Sequence, residues 1–290
     1  RVGASHPGSG KFGSLGGLTC HLMPELDRDN LFEAFRHRRH YATTGCRPFI
    51  DLRIAGLEAA RRTLHAGDSQ SIDTALMGDI ASCTNAEVFL DIDISGHAGI
   101  ERIDLRDGLD LITRIRPDEG ARHTGARIRV QCEGAEYRGR GRRVDWDAAV
   151  TLKGPKLLRT SPVNFWNADS RVDVAGDTVR WSYVTTGGSH AVDLWLDTPA
   201  EGLLEFASNV TNFAVDLSEI GLEDHVHTCG GLGKAVRITR LPDDALPDIR
   251  TERVRVALPT GRERCLFLRI AFEDGHIAWT SPIYLTRRSI

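Results

Sequence analysis

Apolar and polar residues alternate with a period of two along much of this chain, the signature of strands that bury one face. In residues 49–54, Ile50, Leu52 and Ile54 fall on one side, and Phe49, Asp51 and Arg53 on the other. Residues 87–95 repeat the pattern with Val88, Leu90, Ile92 and Ile94. Residues 101–115 read as a hairpin, with Asp107-Gly108 supplying the left-handed turn between Ile103 and Leu105 on one side and Leu109 and Leu111 on the other. Further strands are predicted at 127–132, 148–152, 178–184, 191–196, 203–207, 213–217 and 235–239, and a final pair at 265–285 turns about Asp274-Gly275. Short strands separated by turn residues predict a mainly β chain of the sandwich type. Residues 58–65 read instead as a short helix, and residues 66–84, with their Gly, Asp and Ser, as an exposed loop.

A helical period appears near the start, over residues 28–39. Asp27 or Asp29 can cap it, and Arg36, His37, Arg38 and Arg39 suit the negative end of the helix dipole. Leu31, Phe32 and Phe35 recur at near-helical spacing and predict a buried face. Full burial of Phe35 would make Phe35→Ala cost about 3–5 kcal/mol. The last hairpin, 265–285, has no later partner and an isolated hairpin is marginal in water. It is expected to pair in the sheet of 87–95 and 101–115, leaving residues 135–250 as a large excursion.

Several stretches carry a family resemblance. They are GGLT at 16–19, RRHYATTG at 38–45 with Arg47, Met77-Gly78-Asp79, PVNFWN at 162–167 and EDGHIAWTSPIY at 273–284. In this order they resemble the Domain of Unknown Function 3604 family, which is related to PHP-type metal-dependent hydrolases. The resemblance implies that residues 1–46 are the last loop, helix and edge of a PHP-like (β/α) barrel. Residues 47–290 are then a β-sandwich accessory region with its central excursion at about 135–250. It implies a metal-dependent hydrolase of the phosphoesterase type, in which divalent metal activates water and neutralises charge on an ester. That metal, and the N-terminal barrel portion as partner, belong to the intact parent; this chain alone is expected to hold no cofactor and to be inactive. His6 matches the end of the family's metal-binding run, although Ser5 stands where an Asp is expected. The competing reading is a non-catalytic β-sandwich that binds carbohydrate or protein; a third is purely structural, with the β region shielding or orienting the barrel.

Composition narrows the partners. Across 290 residues the formal charge is -3, so no basic excess points to nucleic acid, and no apolar run reaches the length of a membrane span. The chain opens on Arg1 without a leader pattern and reads as a piece of a longer polypeptide. The cysteines, Cys20, Cys46, Cys83, Cys132, Cys229 and Cys265, form no C-x-x-C pair and read as free thiols. His225-Val226-His227 would place both imidazoles on one side of a strand, where Asp224 or Cys229 could join them on a metal. The Gly-rich bend that follows favours a solvated loop there. Neither GSGKFG nor GGLG has P-loop spacing, and no G-x-S-x-G elbow occurs. The five tryptophans, which could form a sugar-stacking platform, read as core.

Overall fold

Antiparallel ladders satisfy most of the backbone of this chain. The structure is a computed structural model and describes residues 17–62, 68–117, 125–165, 170–221 and 223–288. His6 lies outside the described residues. In chain order the elements are β1 (Leu18–His21), α1 (Arg28–Arg36), β2 (His40–Thr43), β3 (Phe49–Arg62), β4 (Ser69–Leu76), β5 (Ile80–Cys83), β6 (Glu87–Ser95), β7 (Ile100–Asp107), β8 (Asp110–Ile115) and β9 (Arg127–Ala135). There follow β10 (Val144–Lys153), β11 (Leu157–Val163), β12 (Val172–Ala175), β13 (Thr178–Thr185), β14 (Ser189–Leu196), β15 (Leu203–Ser208) and β16 (Asn212–Asp216). The last are β17 (His225–Thr228), β18 (Leu232–Leu241), β19 (Ile249–Ala257), β20 (Glu263–Phe272), β21 (Ile277–Thr280) and β22 (Ile283–Arg287). The protein is mainly β. No described helix is long and apolar enough to cross a membrane.

The chain divides into two units. The first takes residues 1–117 and 246–290, and the second residues 118–245. The boundary expected at 46/47 thus lies inside the first unit, where β1 and β2 continue the sheet through the β2–β21 ladder.

In the first unit a connected sheet runs β1-β2-β21-β20-β22-β5-β3-β6-β19, with β4 on β3 and the β7–β8 hairpin on β20. The last hairpin does meet the early strands, because β20 pairs along β7 from Leu266↔Asp107 to Phe272↔Ile100. Ile50, Leu52 and Ile54 of β3, Leu90 and Ile92 of β6, Ile103 and Leu105 of β7 and Leu266, Leu268 and Ile270 of β20 share one core. Alternation delivers each of these side chains to the same side of its strand.

Strand β3 corrects two sequence expectations. Its ladder to β4 slips between Ala55 and Ala59, and Gly56 there has φ +72°, a left-handed value that glycine adopts without steric cost. Two extra residues on β3 interrupt the alternation there, and the buried positions pass from Ile50, Leu52 and Ile54 to Leu57 and Ala59. Residues 58–62 are therefore strand rather than helix, since the bulge broke the period of two that would have revealed them. The supposed loop at 66–84 contains β4 and β5. β4 escapes notice because it pairs only with β3 and its sequence, SQSIDTAL, is mostly polar.

Helix α1 forms with the expected cap, the Asp27 side chain accepting from Asn30 N–H at 2.8 Å. Its expected apolar face is not buried. Ala34 is the buried residue of α1, whereas Phe32 and Phe35 are 51% and 54% exposed. Phe35 lies against the His21 ring at 4.3 Å, and Phe32 beneath Arg28. A half-exposed ring forfeits roughly half its transfer free energy on truncation, so Phe35→Ala is expected to cost roughly 1 kcal/mol in urea unfolding. A cost above about 3 kcal/mol would restore the buried face.

The second unit has two five-stranded sheets, β12-β13-β10-β15-β16 and β11-β14-β9-β18-β17. Their inward residues share a core that includes Trp146, Trp181, Phe206, Val130, Leu194 and Ile238. At one edge the sheets meet through aromatic stacking, with Phe213 of β16 lying 4.4 Å from the His227 ring and 5.8 Å from that of His225, both in β17. The other face of the second sheet is polar and also buried. Asp193 is held there by Arg127 and Arg129. Arg240, opposite Ile128 on the core side of β18, donates to the carbonyls of Ile220, Gly125, Pro199 and Leu217.

Candidate metal centre

Two parts of the first unit deserve description from the residues upward. The earlier of them joins stretches far apart in sequence. Residues 38–45, 77–79 and 273–284 fold against one another. Arg38 Nε donates to Gly78 O at 2.8 Å and Arg39 Nη2 to Asp79 Oδ1 at 2.7 Å. Gly78 N donates to Pro282 O at 3.2 Å, and Tyr284 N to Asp79 O at 2.8 Å. Asp79 is 2% exposed, and its other carboxylate oxygen accepts from Leu76 N. Gly78 has φ +91°, and a Cβ there would lie 2.3 Å from His37 O, so glycine is required for this close backbone approach.

The later part sits at the turns beside the β7–β20 ladder. That ladder brings residues 96–99, which precede β7, next to residues 273–276, which link β20 to β21. Gly275, at φ +85°, closes the second turn with a bond from its N–H to Phe272 O. Three side chains converge here: His97, Asp274 and His276 offer donor atoms that all lie within 4.8 Å of one another. His97 Nε2 and Asp274 Oδ2 are 2.6 Å apart. The His97 and His276 rings lie 5.5 Å apart, and His97 meets the buried Phe272 ring edge-on at 5.0 Å. Thr44 steadies the third member: its Oγ1 lies 2.9 Å from His276 Nδ1 and accepts from Ile277 N at 3.0 Å. Burial holds the His276 imidazole below its ordinary range; Asp274 opposes this and His97 adds to it. A neutral imidazole keeps a lone pair for a metal.

Sequence reasoning had noted EDGHIAWTSPIY without seeing a ligand set in it. His97 lies 177 residues from Asp274 and has no local pattern to mark it. His6, for which the resemblance implies a metal-ligand role, lies outside the described residues. His225 and His227 lie in strand β17 and not in a loop; both stack on Phe213, and His227 Nε2 also meets Thr211 Oγ1 at 2.9 Å. Neighbouring Asp224 pairs with Arg237. The six cysteines are free. The aromatic platform does not assemble among the described tryptophans. Trp146 and Trp181 are core, and Trp195 has Arg159 and Arg127 over its ring at 3.8 and 5.2 Å.

No family model, no curated protein and no solved structure matches this chain.

Proposed function

We propose that this chain is the accessory β portion of a PHP-like metal-dependent hydrolase, one that supports and orients the catalytic part and is itself inactive. The observation that carries this reading is the assembly of three of the five stretches behind the resemblance; PVNFWN belongs to the second unit. RRHYATTG, Met77-Gly78-Asp79 and EDGHIAWTSPIY were each noticed on sequence alone. Folding places them in mutual contact through Arg38–Gly78, Arg39–Asp79, Gly78–Pro282 and the β2–β21 ladder. Unrelated coincidences of sequence would have no reason to meet in space. Arg38, Arg39 and Asp79 of this assembly are engaged in holding backbone segments together, which suits support rather than catalysis. The partner is the barrel portion, and the divalent metal of the hydrolytic reaction belongs there.

The test is an assay of the purified chain against p-nitrophenyl phosphate and bis(p-nitrophenyl) phosphate with added Mn²⁺ or Zn²⁺. Turnover is expected to equal that of the metal in buffer. Chelator-sensitive turnover above that level would overturn the accessory role.

A further inference from the structure

We propose that His97, Asp274 and His276 form a binding site for a divalent transition-metal ion of the zinc class, which pins the turn before β7 to the turn between β20 and β21. This site is separate from the hydrolytic metal of the barrel and stands whether or not the accessory reading holds.

The donor set selects the ion. Two imidazoles and one carboxylate suit Zn²⁺, Ni²⁺ or Co²⁺, whereas Mg²⁺ and Ca²⁺ prefer an all-oxygen shell. The spacing is near what coordination needs. Donor atoms about 2.0–2.2 Å from a tetrahedral ion lie about 3.3–3.5 Å apart. The set already falls within 4.8 Å, and His97 Nε2 and Asp274 Oδ2 are closer still at 2.6 Å. The surroundings hold the ligands in place. Phe272, fully buried, forms a floor under His97, and Thr44 fixes the His276 ring from its Nδ1 side. Gly275 and its bond to Phe272 O set the direction of the turn that carries Asp274 and His276. Three protein ligands leave at least one position for water, and exposed His97 gives solvent access.

The experiment uses the whole chain, stripped with EDTA and free of any His-tag, titrated with ZnCl₂ by calorimetry at pH 7.5. One equivalent is expected to bind with a Kd below about 10 μM, with a rise in Tm. His97→Ala, His276→Ala and Asp274→Asn should each weaken binding by about 30-fold or more. Thr44→Val, which leaves the ligands but removes the ring's partner and the acceptor of the Ile277 N–H, should weaken it by about 10-fold, the lower end for outer-shell changes. The double variant His225→Ala/His227→Ala should bind as the parent does. Circular dichroism of each variant confirms folding. A parent Kd weaker than about 100 μM, or unchanged affinity in folded His97→Ala and His276→Ala, would overturn the site. Loss of binding only in the His225/His227 variant would also overturn it, by placing the ion on β17.

Discussion

Replacing Asp193 by Ala should destabilise the second unit by about 3–5 kcal/mol, the range found when one partner of a buried ion pair is removed. The reason lies in the electrostatics of a closed site. Asp193 is 1% exposed, and Arg127 and Arg129 are 6% and 2% exposed. Arg129 Nε donates to Oδ1 at 2.7 Å, Arg129 Nη2 to Oδ2 at 3.0 Å, and Arg127 Nη2 to Oδ2 at 2.7 Å. Burial alone would raise the Asp193 carboxyl, but Arg129 and then Arg127 outweigh it and hold it below the usual carboxylate range. Truncation removes from two buried guanidiniums the carboxylate that both of them bond to in a water-poor site. The cost of removing that charge from between them exceeds the net worth of the pair itself. Urea unfolding followed by tryptophan emission measures it, because Trp146, Trp181 and Trp195 all lie in this unit. A loss below about 1 kcal/mol would mean that water or a neighbouring group takes over the role of Asp193.

The second large effect is an acid limb in the stability of the same unit. His190 is 1% exposed in β14, and burial pulls its pKa down to about 3 from the ordinary 6.5. Trp181 Nε1 donates to its Nε2 at 3.1 Å, a bond that needs the neutral ring. The unfolded chain binds a proton near pH 6.5 that the folded chain refuses until about pH 3. Stability is therefore complete above about pH 6.5 and falls as the pH drops toward 3. At 1.36 kcal/mol per pH unit, about 2.7 kcal/mol is lost by pH 4.5, before ordinary carboxylates reach half-protonation. His190→Gln keeps an acceptor for Trp181 and removes the titration. Its unfolding free energy should fall much less between pH 7 and 5 than that of the parent. An equal slope in parent and variant would show that another group sets the limb.

The contrast between these buried groups and the surface features explains what was legible in the sequence. Strands with a partner on each side and a core beneath them must alternate, so β6, β7, β9, β10 and β14 could be read from Val88, Ile103, Val130, Val150 and Leu194 and their neighbours. The Asp107-Gly108 turn was legible because a left-handed residue there favours glycine, and Gly108 has φ +60°. The Asp27 cap was legible because helix starts need an acceptor.

Tertiary structure decided the rest. β4, β11, β12, β17 and β19 lie at sheet edges, where one neighbour suffices and polar residues are tolerated, so sequence carried little trace of them. The bulge at Gly56 interrupted the alternation within β3 and made residues 58–62 look helical. Phe32 and Phe35 show that a helical period names a face without saying that anything covers it. His97 meets Asp274 and His276 only because β7 pairs with β20. A ligand set split over 177 residues has no period, spacing or local composition of its own, since its geometry belongs to the ladder that joins the two turns.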